Sequence, residues 1–282
     1  MDDKYPTDSD RRRFVKGVVG GAVLSGVGTT AAATVNSLTA PAGAGGGTTR
    51  YRGVENTAGP APRGMPQIPV EIQENDQGEE ILVGVWPEEI DEEAGIAVSE
   101  DYGGSGVDYK SSWYQYCGVQ TYPGVDPQAD KDNTLYYVES NPQFQWQEEE
   151  VELGAPVKVS DFEDYETWGN GIGEAGIGKP AAANWRSEGE DPTETMPVQI
   201  LRSTRIEEMA QEDDWIAAST ERGFMAILNK CTHFCCVPGF KHTEQAVEFG
   251  GANRIYCQCH QSIYDPFNVL DLQFVALPRP SE

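Results

Sequence analysis

The chain has 282 residues and carries 46 Asp and Glu against 20 Lys and Arg, a formal net charge of −26. Hydrophobic residues make up 38%, which is enough for a buried core and argues against a disordered chain. The charge argues against binding to nucleic acid or to anionic lipid, because both need a basic patch. Many acidic residues with few Lys are typical of proteins that work at very high salt, where charge repulsion is screened. An ordinary acidic exported protein is the alternative.

The N-terminal segment predicts export and membrane anchoring. Residues 1–16 form a charged cytoplasmic N-terminus, in which an Arg pair followed by Phe and Lys resembles a twin-arginine motif. Residues 17–40 are uncharged and long enough to cross a hydrocarbon core of about 30 Å as a helix, as a transmembrane anchor or an uncleaved signal. A simple positive-inside anchor is the alternative, and small residues near its end leave cleavage open. The Gly-rich residues 41–50 would form a flexible hinge. We expect a single-pass protein of the cell membrane, with the bulk of the chain on the extracytoplasmic side.

Strand-like patterns dominate the rest of the chain, and the long helical periodicity of a bundle is absent. We therefore predict a mainly β fold, with an extra mainly β region of unknown role over residues 51–150 and a second domain over 151–282. One short helix is predicted at 204–212. The runs 215–219 and 223–228 are predicted to pair as a hairpin.

The residues with metal chemistry are concentrated near the C-terminus. All three His and five of the six Cys lie between Cys231 and His260. Thiolate and imidazole groups at C-x-H and C-x-x-H spacing indicate a metal site. Zinc, a dinuclear iron–sulfur cluster, or a group of disulfides with incidental His would each use these residue types. Each of the two Cys-His motifs contains at least one Cys in addition to its Cys and His ligand pair. This favours an iron–sulfur cluster between two loops that a disulfide joins, since disulfides are stable in an oxidising compartment.

The two motifs resemble those of the Rieske iron–sulfur proteins. That family has C-T-H-L-G-C and C-P-C-H-G-S-x-Y, where this chain has C-T-H-F-C-C from Cys231 and C-Q-C-H-Q-S-I-Y from Cys257. The resemblance implies an antiparallel β-sandwich over 151–282, with a small cluster-binding subdomain at about 228–268 and one 2Fe-2S cluster. The implied roles are iron ligation by Cys231, His233, Cys257 and His260, a disulfide between Cys236 and Cys259, and hydrogen bonds to cluster sulfurs from Ser262 and Tyr264.

The chain departs from the family pattern at several positions. Cys235 and Gln261 stand where the family has Gly, which often supplies a positive φ, and Gln258 stands where it has Pro. Residues 277–280 would match the proline loop that covers the cluster. Cys117 and Cys235 either pair with each other or stay as buried thiols. His242, between the two motifs, is predicted to face solvent.

The resemblance also implies a function. Two neutral imidazoles in place of two thiolates raise the potential of such a cluster to about −150 to +300 mV. The Ser, Tyr and disulfide positions are those of the quinol-oxidising members, in which His233 or His260 would be the catalytic proton acceptor. We therefore expect a high-potential electron-transfer subunit of a cytochrome bc-type complex in the respiratory chain.

Its expected partners are quinol, a cytochrome b-type membrane subunit and a soluble or membrane-tethered electron acceptor. The chain is not expected to be catalytic alone, because cytochrome b would complete the quinol pocket. A Rieske subunit of another membrane redox enzyme, such as a nitrate or arsenite system, is the first alternative. A zinc-clamped cell-surface binding module, in which an aromatic middle region would do the binding, is the second.

Overall fold

A computed structural model describes residues 45–280 of the chain. The predicted twin-arginine motif, the predicted membrane segment 17–40 and residues 41–44 of the predicted hinge lie outside the described residues. The described residues belong to one compact unit. Within this part of the chain, no helix has the length and apolar character needed to cross a membrane.

The described residues are mainly β, as the sequence predicts. The strands are β1 Gly47–Ala58, β2 Met65–Ile68, β3 Val70–Glu74, β4 Glu80–Gly84, β5 Glu89–Asp91, β6 Ile96–Ser99, β7 Tyr109–Lys110, β8 Tyr136–Tyr137, β9 Lys179–Trp185, β10 Met196–Arg202, β11 Phe224–Leu228, β12 Gly239–Phe240, β13 Ile255–Cys257 and β14 Ser262–Ala276. The α-helices are short: α1 Gln145–Glu150, α2 Thr204–Met209, α3 Asp214–Ser219 and α4 Gln245–Glu248. Turns of 3-10 helix cover Tyr102–Gly104, Ser111–Tyr114, Val119–Thr121, Pro123–Val125 and Val159–Phe162.

Nine strands form one curled antiparallel sheet in the order β12-β13-β14-β1-β2-β11-β10-β9-β8. The strands β1 and β2 lie at its centre, between β14 and β11. The predicted boundary between 51–150 and 151–282 therefore has no counterpart in the described residues, because strands from both ranges share one sheet. Pairings between strands so distant in sequence leave no local pattern from which to predict them.

The start of β1 shortens the predicted hinge. Gly47 already pairs with Ala276, and the two strands remain paired along β1. Just before it, the Gly45 amide donates to the Ala94 carbonyl at 2.7 Å. The prediction of a flexible hinge over 41–50 is therefore wrong for residues 47–50, which are strand.

The bend in β14 directs one end of the sheet toward the candidate site. Val269 pairs with Val54, but the next pair along β1 joins Glu55 to Asp265, so residues 266–268 bulge out of the register. Such a bulge bends its strand and increases the local twist. Beyond the bulge, β14 pairs with both β1 and β13, and the β13–β14 hairpin carries the second motif at its tip.

The helix predicted at 204–212 is confirmed as α2, but the hairpin predicted at 215–219 is wrong. Residues 214–219 form α3 instead. The Asp213 side chain accepts a hydrogen bond from the Ile216 amide at 3.0 Å and caps the helix. An N-terminal cap of this kind favours a helix by about 1 kcal/mol. The run 215–219 also contains Ala217 and Ala218, which favour a helix over a strand, and the cap adds to that preference.

Aromatic residues fill the core beneath the sheet. Trp113, Trp215 and Tyr109 are fully buried, and the Trp113 and Trp215 ring centroids are 5.2 Å apart. Pairs of this geometry contribute about 0.5 to 1.5 kcal/mol beyond their buried area. These aromatic side chains of the middle region are therefore part of the buried core. The alternative of a zinc-clamped binding module requires aromatic side chains at the surface, and few remain there.

Candidate metal centre

The first motif forms a closed loop between β11 and β12, residues 229–238, here called the first loop. The Cys231 amide donates to the Cys236 carbonyl at 2.8 Å, and the Cys235 amide donates back to the Cys231 carbonyl at 2.9 Å. The Asn229 side chain closes the base by donating to the Pro238 carbonyl at 2.9 Å. Cys235 has a φ of 64°, so a non-Gly residue takes the left-handed conformation expected at this position.

The second motif forms the turn of the β13–β14 hairpin, residues 258–261, here called the second loop. Cys257 ends β13 and pairs with Ser262 at the start of β14. The Gln261 amide donates to the Cys257 carbonyl at 2.9 Å, and Gln261 has a φ of 63°. The hairpin therefore places Cys259 and His260 in one tight turn with Ser262 directly after it, and Gln261 has the positive φ that Gly often supplies.

Two disulfides hold the first loop from two sides. Cys236 is bonded to Cys259, as the resemblance implies, and this bond joins the first and second loops. Cys235 is bonded to Cys117, so the structure selects pairing over buried thiols for these two residues. The first loop is thus fixed between the second loop and the segment around Cys117.

Cys231 and Cys257 are the free cysteines of the described residues, and both are buried. The Cys257 thiol and the Tyr264 hydroxyl hydrogen-bond to the Cys231 sulfur, the latter at 3.1 Å, and lower the pKa of Cys231 to about 5. The same bond to Cys231 raises the pKa of Cys257, and burial adds to the increase. One thiolate and one thiol therefore share a proton in the absence of metal, and two deprotonated sulfurs at this place would require a cation.

This shared proton predicts a pH dependence for the metal-free protein. The folded pKa of Cys231 is about 5 against an ordinary value of 9.0, so the folded state binds fewer protons than the unfolded state between these values. The free energy of unfolding should therefore rise with pH across this window and fall above it, where the raised pKa of Cys257 acts in the opposite direction. Denaturant unfolding from about pH 6 to about pH 8 measures the slope. Cys231→Ser should flatten it, and an equal slope in that variant would contradict the assignment.

The two predicted imidazole ligands face each other across the loops. The ring centroids of His233 and His260 are 4.7 Å apart at an interplanar angle of 84°. His233 Nδ1 is buried and has no hydrogen-bond partner among the described residues, which is costly for a polar atom unless a bound group satisfies it. His260 is exposed, and so is its neighbour Phe234, at 65%. The site thus has a buried donor atom turned inward and an imidazole open to solvent.

Ser262 and Tyr264, to which the resemblance gives a tuning role, lie on β14. Ser262 is buried, and its hydroxyl accepts a hydrogen bond from the Ala61 amide at 3.2 Å. Tyr264 is also buried; its hydroxyl contacts the Cys231 sulfur and accepts from the Thr232 amide at 3.2 Å. The Tyr264 hydroxyl therefore holds the first loop to β14, whereas the Ser262 hydroxyl holds β14 to Ala61.

The segment that covers the loops is residues 59–64, here called the cover, which the sequence-based prediction missed. The Arg63 carbonyl accepts from Thr232 Oγ1 at 2.6 Å, and Gly59 packs so tightly on the second loop that a Cβ there would lie 2.5 Å from the Gln261 carbonyl oxygen. Residues 277–280, predicted to be this cover, instead hold the 115–126 segment through Arg279, which donates to the Tyr122 carbonyl at 3.1 Å. The run Gly-Pro-Ala-Pro from Gly59 was the signal that could have identified the cover.

His242 is half-buried, although the sequence predicted a solvent-facing residue. Its ring packs edge-on against Phe144, with centroids 6.3 Å apart, and its Nδ1 lies 3.3 Å from the Gln258 side chain. Burial lowers the pKa of His242. His242 therefore contacts the second loop through Gln258 and is not part of the predicted ligand set.

The sulfur atoms of Cys236, Cys257 and Cys259 all lie within 4.8 Å of one another and form a possible metal-binding group. The sulfurs of Cys236 and Cys259 are bonded to each other, so the group offers one free sulfur, that of Cys257. The four predicted ligands do not come within that limit as a set in the described part of the chain.

Comparisons with protein-family models, with curated proteins and with solved structures found no match for this chain.

Proposed function

We propose that the chain is a high-potential Rieske-type electron-transfer protein. Its antiparallel β domain would hold one 2Fe-2S cluster, with Cys231 and Cys257 on one iron and His233 and His260 on the other. The observation that carries the proposal is the convergence of two free buried thiols and two facing imidazoles on two loops that a disulfide joins. The unpartnered Nδ1 of His233 supports it, because a metal atom would satisfy that buried nitrogen.

A cluster with two imidazole ligands takes up single electrons at a higher potential than one with four thiolates. The protein contributes hydrogen bonds that stabilise added negative charge. The Tyr264 hydroxyl already donates to the Cys231 sulfur, and the Ser262 oxygen accepts from Ala61, so its own proton is available for a sulfide. These bonds favour the high-potential, quinol-oxidising type.

The exposed surface of the site suits proton transfer from a quinol. Residues 231–240 and 257–264 carry no Asp, Glu, Lys or Arg, on a protein with a net charge of −26. Phe234 and Val237 are exposed within this uncharged surface, at 65% and 47%. Such a surface fits an apolar pocket of a membrane partner. A ring nitrogen of the exposed His260 would accept the quinol proton there, and His233 is the alternative acceptor.

The remaining expectations belong to this proposal. The chain would be exported by the twin-arginine route and anchored once in the cell membrane, with the described residues on the extracytoplasmic side. It would act as a redox subunit beside a cytochrome b-type protein and pass electrons to a soluble or tethered carrier. Nitrate- or arsenite-type membrane enzymes would use the same site with a different partner.

Mild solubilisation of native membranes, followed by purification of the full chain, tests the assignment to a complex. Co-purification of a b-type haem, with reduction of the iron–sulfur signal on addition of quinol, is the expected result. Co-purification of a molybdenum subunit instead would move the chain to the other redox enzymes. Zinc in place of iron would contradict the proposal.

Ser262→Ala tests the tuning role without removing a ligand. The variant should keep its cluster but show a lower midpoint potential, because the reduced state loses a hydrogen bond. A bond to a charged group is worth about 1.5 kcal/mol, or roughly 60 mV for a one-electron couple. Ser219→Ala is the matched control, since Ser219 is fully buried but bonds to Gln67. Equal potentials in the Ser262 variant and the wild type would refute the tuning role.

A further inference from the structure

Arg63, in the cover, is a cation without a carboxylate partner. Its guanidinium carbon lies 3.8 Å from the Phe274 ring centroid, 4.6 Å from that of Tyr116 and 5.8 Å from that of Tyr51. None of the ion pairs within 4.0 Å in residues 45–280 includes it. Several other cations of the described residues also lack an ion pair, and the Arg63 guanidinium donates a hydrogen bond to the Tyr51 hydroxyl at 3.5 Å. What distinguishes Arg63 is its place among three aromatic rings.

The backbone of Arg63 lies directly beside the candidate centre, and its guanidinium is separated from the centre by the Tyr116 side chain. Its carbonyl oxygen accepts from Thr232 Oγ1 at 2.6 Å, and Thr232 is the residue between the predicted ligands Cys231 and His233. The guanidinium lies over the Tyr116 ring. The Tyr116 hydroxyl donates a hydrogen bond to the carbonyl of Lys230, the residue before Cys231, at 2.9 Å. Burial raises the pKa of Tyr116, while the charges of Arg63 and Cys231 act on it in opposite directions.

The aromatic setting protects this charge from salt. Charges exposed to solvent are screened beyond about 3 Å at 1 M salt, so the many surface carboxylates have little effect at the centre under those conditions. A half-buried guanidinium between rings acts through a medium of lower dielectric, where the same charge has a larger effect. Cation–ring contacts also compensate part of its lost hydration.

We propose that Arg63 raises the affinity of the metal centre for an electron and keeps doing so in molar salt. This inference rests on the proposed function, because it requires a redox centre at the two loops. Reduction adds one negative charge to the centre, and a fixed positive charge one aromatic side chain away stabilises the reduced state relative to the oxidised state. Arg63 is therefore an electrostatic tuning residue that touches neither quinol nor a ligand side chain.

The test is an EPR-monitored redox titration of the full-length protein in its membrane, at about 0.1 M and about 1 M salt. Arg63→Gln and Arg63→Met remove the charge, and the Met variant keeps an apolar stem between the rings. Both should lower the electron affinity at least threefold, or about 28 mV at 59 mV per tenfold change, at both salt concentrations. Arg63→Lys should restore at least half of the shift. Arg50→Gln, which removes an exposed Arg on β1, should leave the potential in 1 M salt unchanged.

Each other outcome overturns a stated part of the account. Wild-type potentials in both neutral variants would overturn the inference, and so would a shift that disappears in 1 M salt. Loss of the centre in both neutral variants, with a normal centre in Arg63→Lys, would assign the charge to assembly rather than to tuning. Absence of any iron–sulfur signal in the wild-type protein would overturn the proposed function instead.

Discussion

Replacing His233 by Ala should leave a folded protein that has lost its cluster, with iron falling from about two atoms per chain to near zero. His233 Nδ1 has no hydrogen-bond partner in the described residues, so the fold gains little from it and should lose little with it. Loss of metal with retention of the fold is the signature of a ligand. Iron analysis and the visible spectrum measure the loss of metal, and thermal unfolding of the metal-free proteins measures the retention of the fold.

His242→Ala is the matched control for this experiment. It removes the third His of the chain, which packs on Phe144 and contacts Gln258 but takes no part in the proposed donor set. It should keep the iron content of the wild type. A His233→Ala protein with wild-type iron and an unchanged spectrum would remove His233 from the ligand set.

The two disulfides should separate fold stability from cluster retention. Cys117 and Cys235 are 118 residues apart, whereas Cys236 and Cys259 are 23 residues apart. In the chain-entropy model, their removal costs about 5 and about 3 kcal/mol of unfolding free energy, respectively. Only the shorter-range bond joins the two ligand-bearing loops. The double Ser variant of Cys117 and Cys235 should therefore lose more stability, and that of Cys236 and Cys259 should lose its cluster faster.

Each double variant is the control for the other. Denaturant unfolding of the metal-free proteins gives the stability order, and the decay of visible absorbance in the presence of a chelator gives the rate of cluster loss. Equal cluster loss in the two variants would contradict the assignment of the Cys236–Cys259 bond as the lock. A larger stability loss in the Cys236 and Cys259 variant would contradict the entropic argument for the longer loop.

Short-range patterns predicted the two loops and the disulfide that joins them. The two Cys-His motifs identified two loops, and the structure brings both together with the implied disulfide between them. The family's Gly positions also carried information, because Cys235 and Gln261 both adopt a positive φ there. These features could be predicted because each is a property of a few consecutive residues.

Long-range features could not be predicted in the same way. The placement of β1 and β2 at the centre of the sheet depends on pairings across most of the chain, such as Val54 with Val269. The cover at 59–64 reaches the loops only because β1 runs beside β14. Residues 277–280, which were predicted to cover the loops, bind the 115–126 segment instead. Where the chain folds back cannot be read from local composition.

The mainly β prediction succeeded because apolar runs such as Ile81 to Val85 are short and bounded by turn residues; β4 occupies Glu80–Gly84. The same rule failed at residues 215–219, which form a helix. Ala217 and Ala218 favour a helix, and the Asp213 side chain caps its first turn. The strand prediction took neither of these preferences into account.

The central claim is a high-potential cluster held by Cys231, His233, Cys257 and His260, and low-temperature EPR of native membranes tests it most directly. The account predicts a Rieske-type signal in membranes reduced with ascorbate alone, because two imidazole ligands and the hydrogen bonds of Ser262 and Tyr264 favour reduction. A signal that needs dithionite would contradict the high potential and the quinol-oxidising role. No signal with either reductant, together with zinc in the purified protein, would contradict the cluster itself.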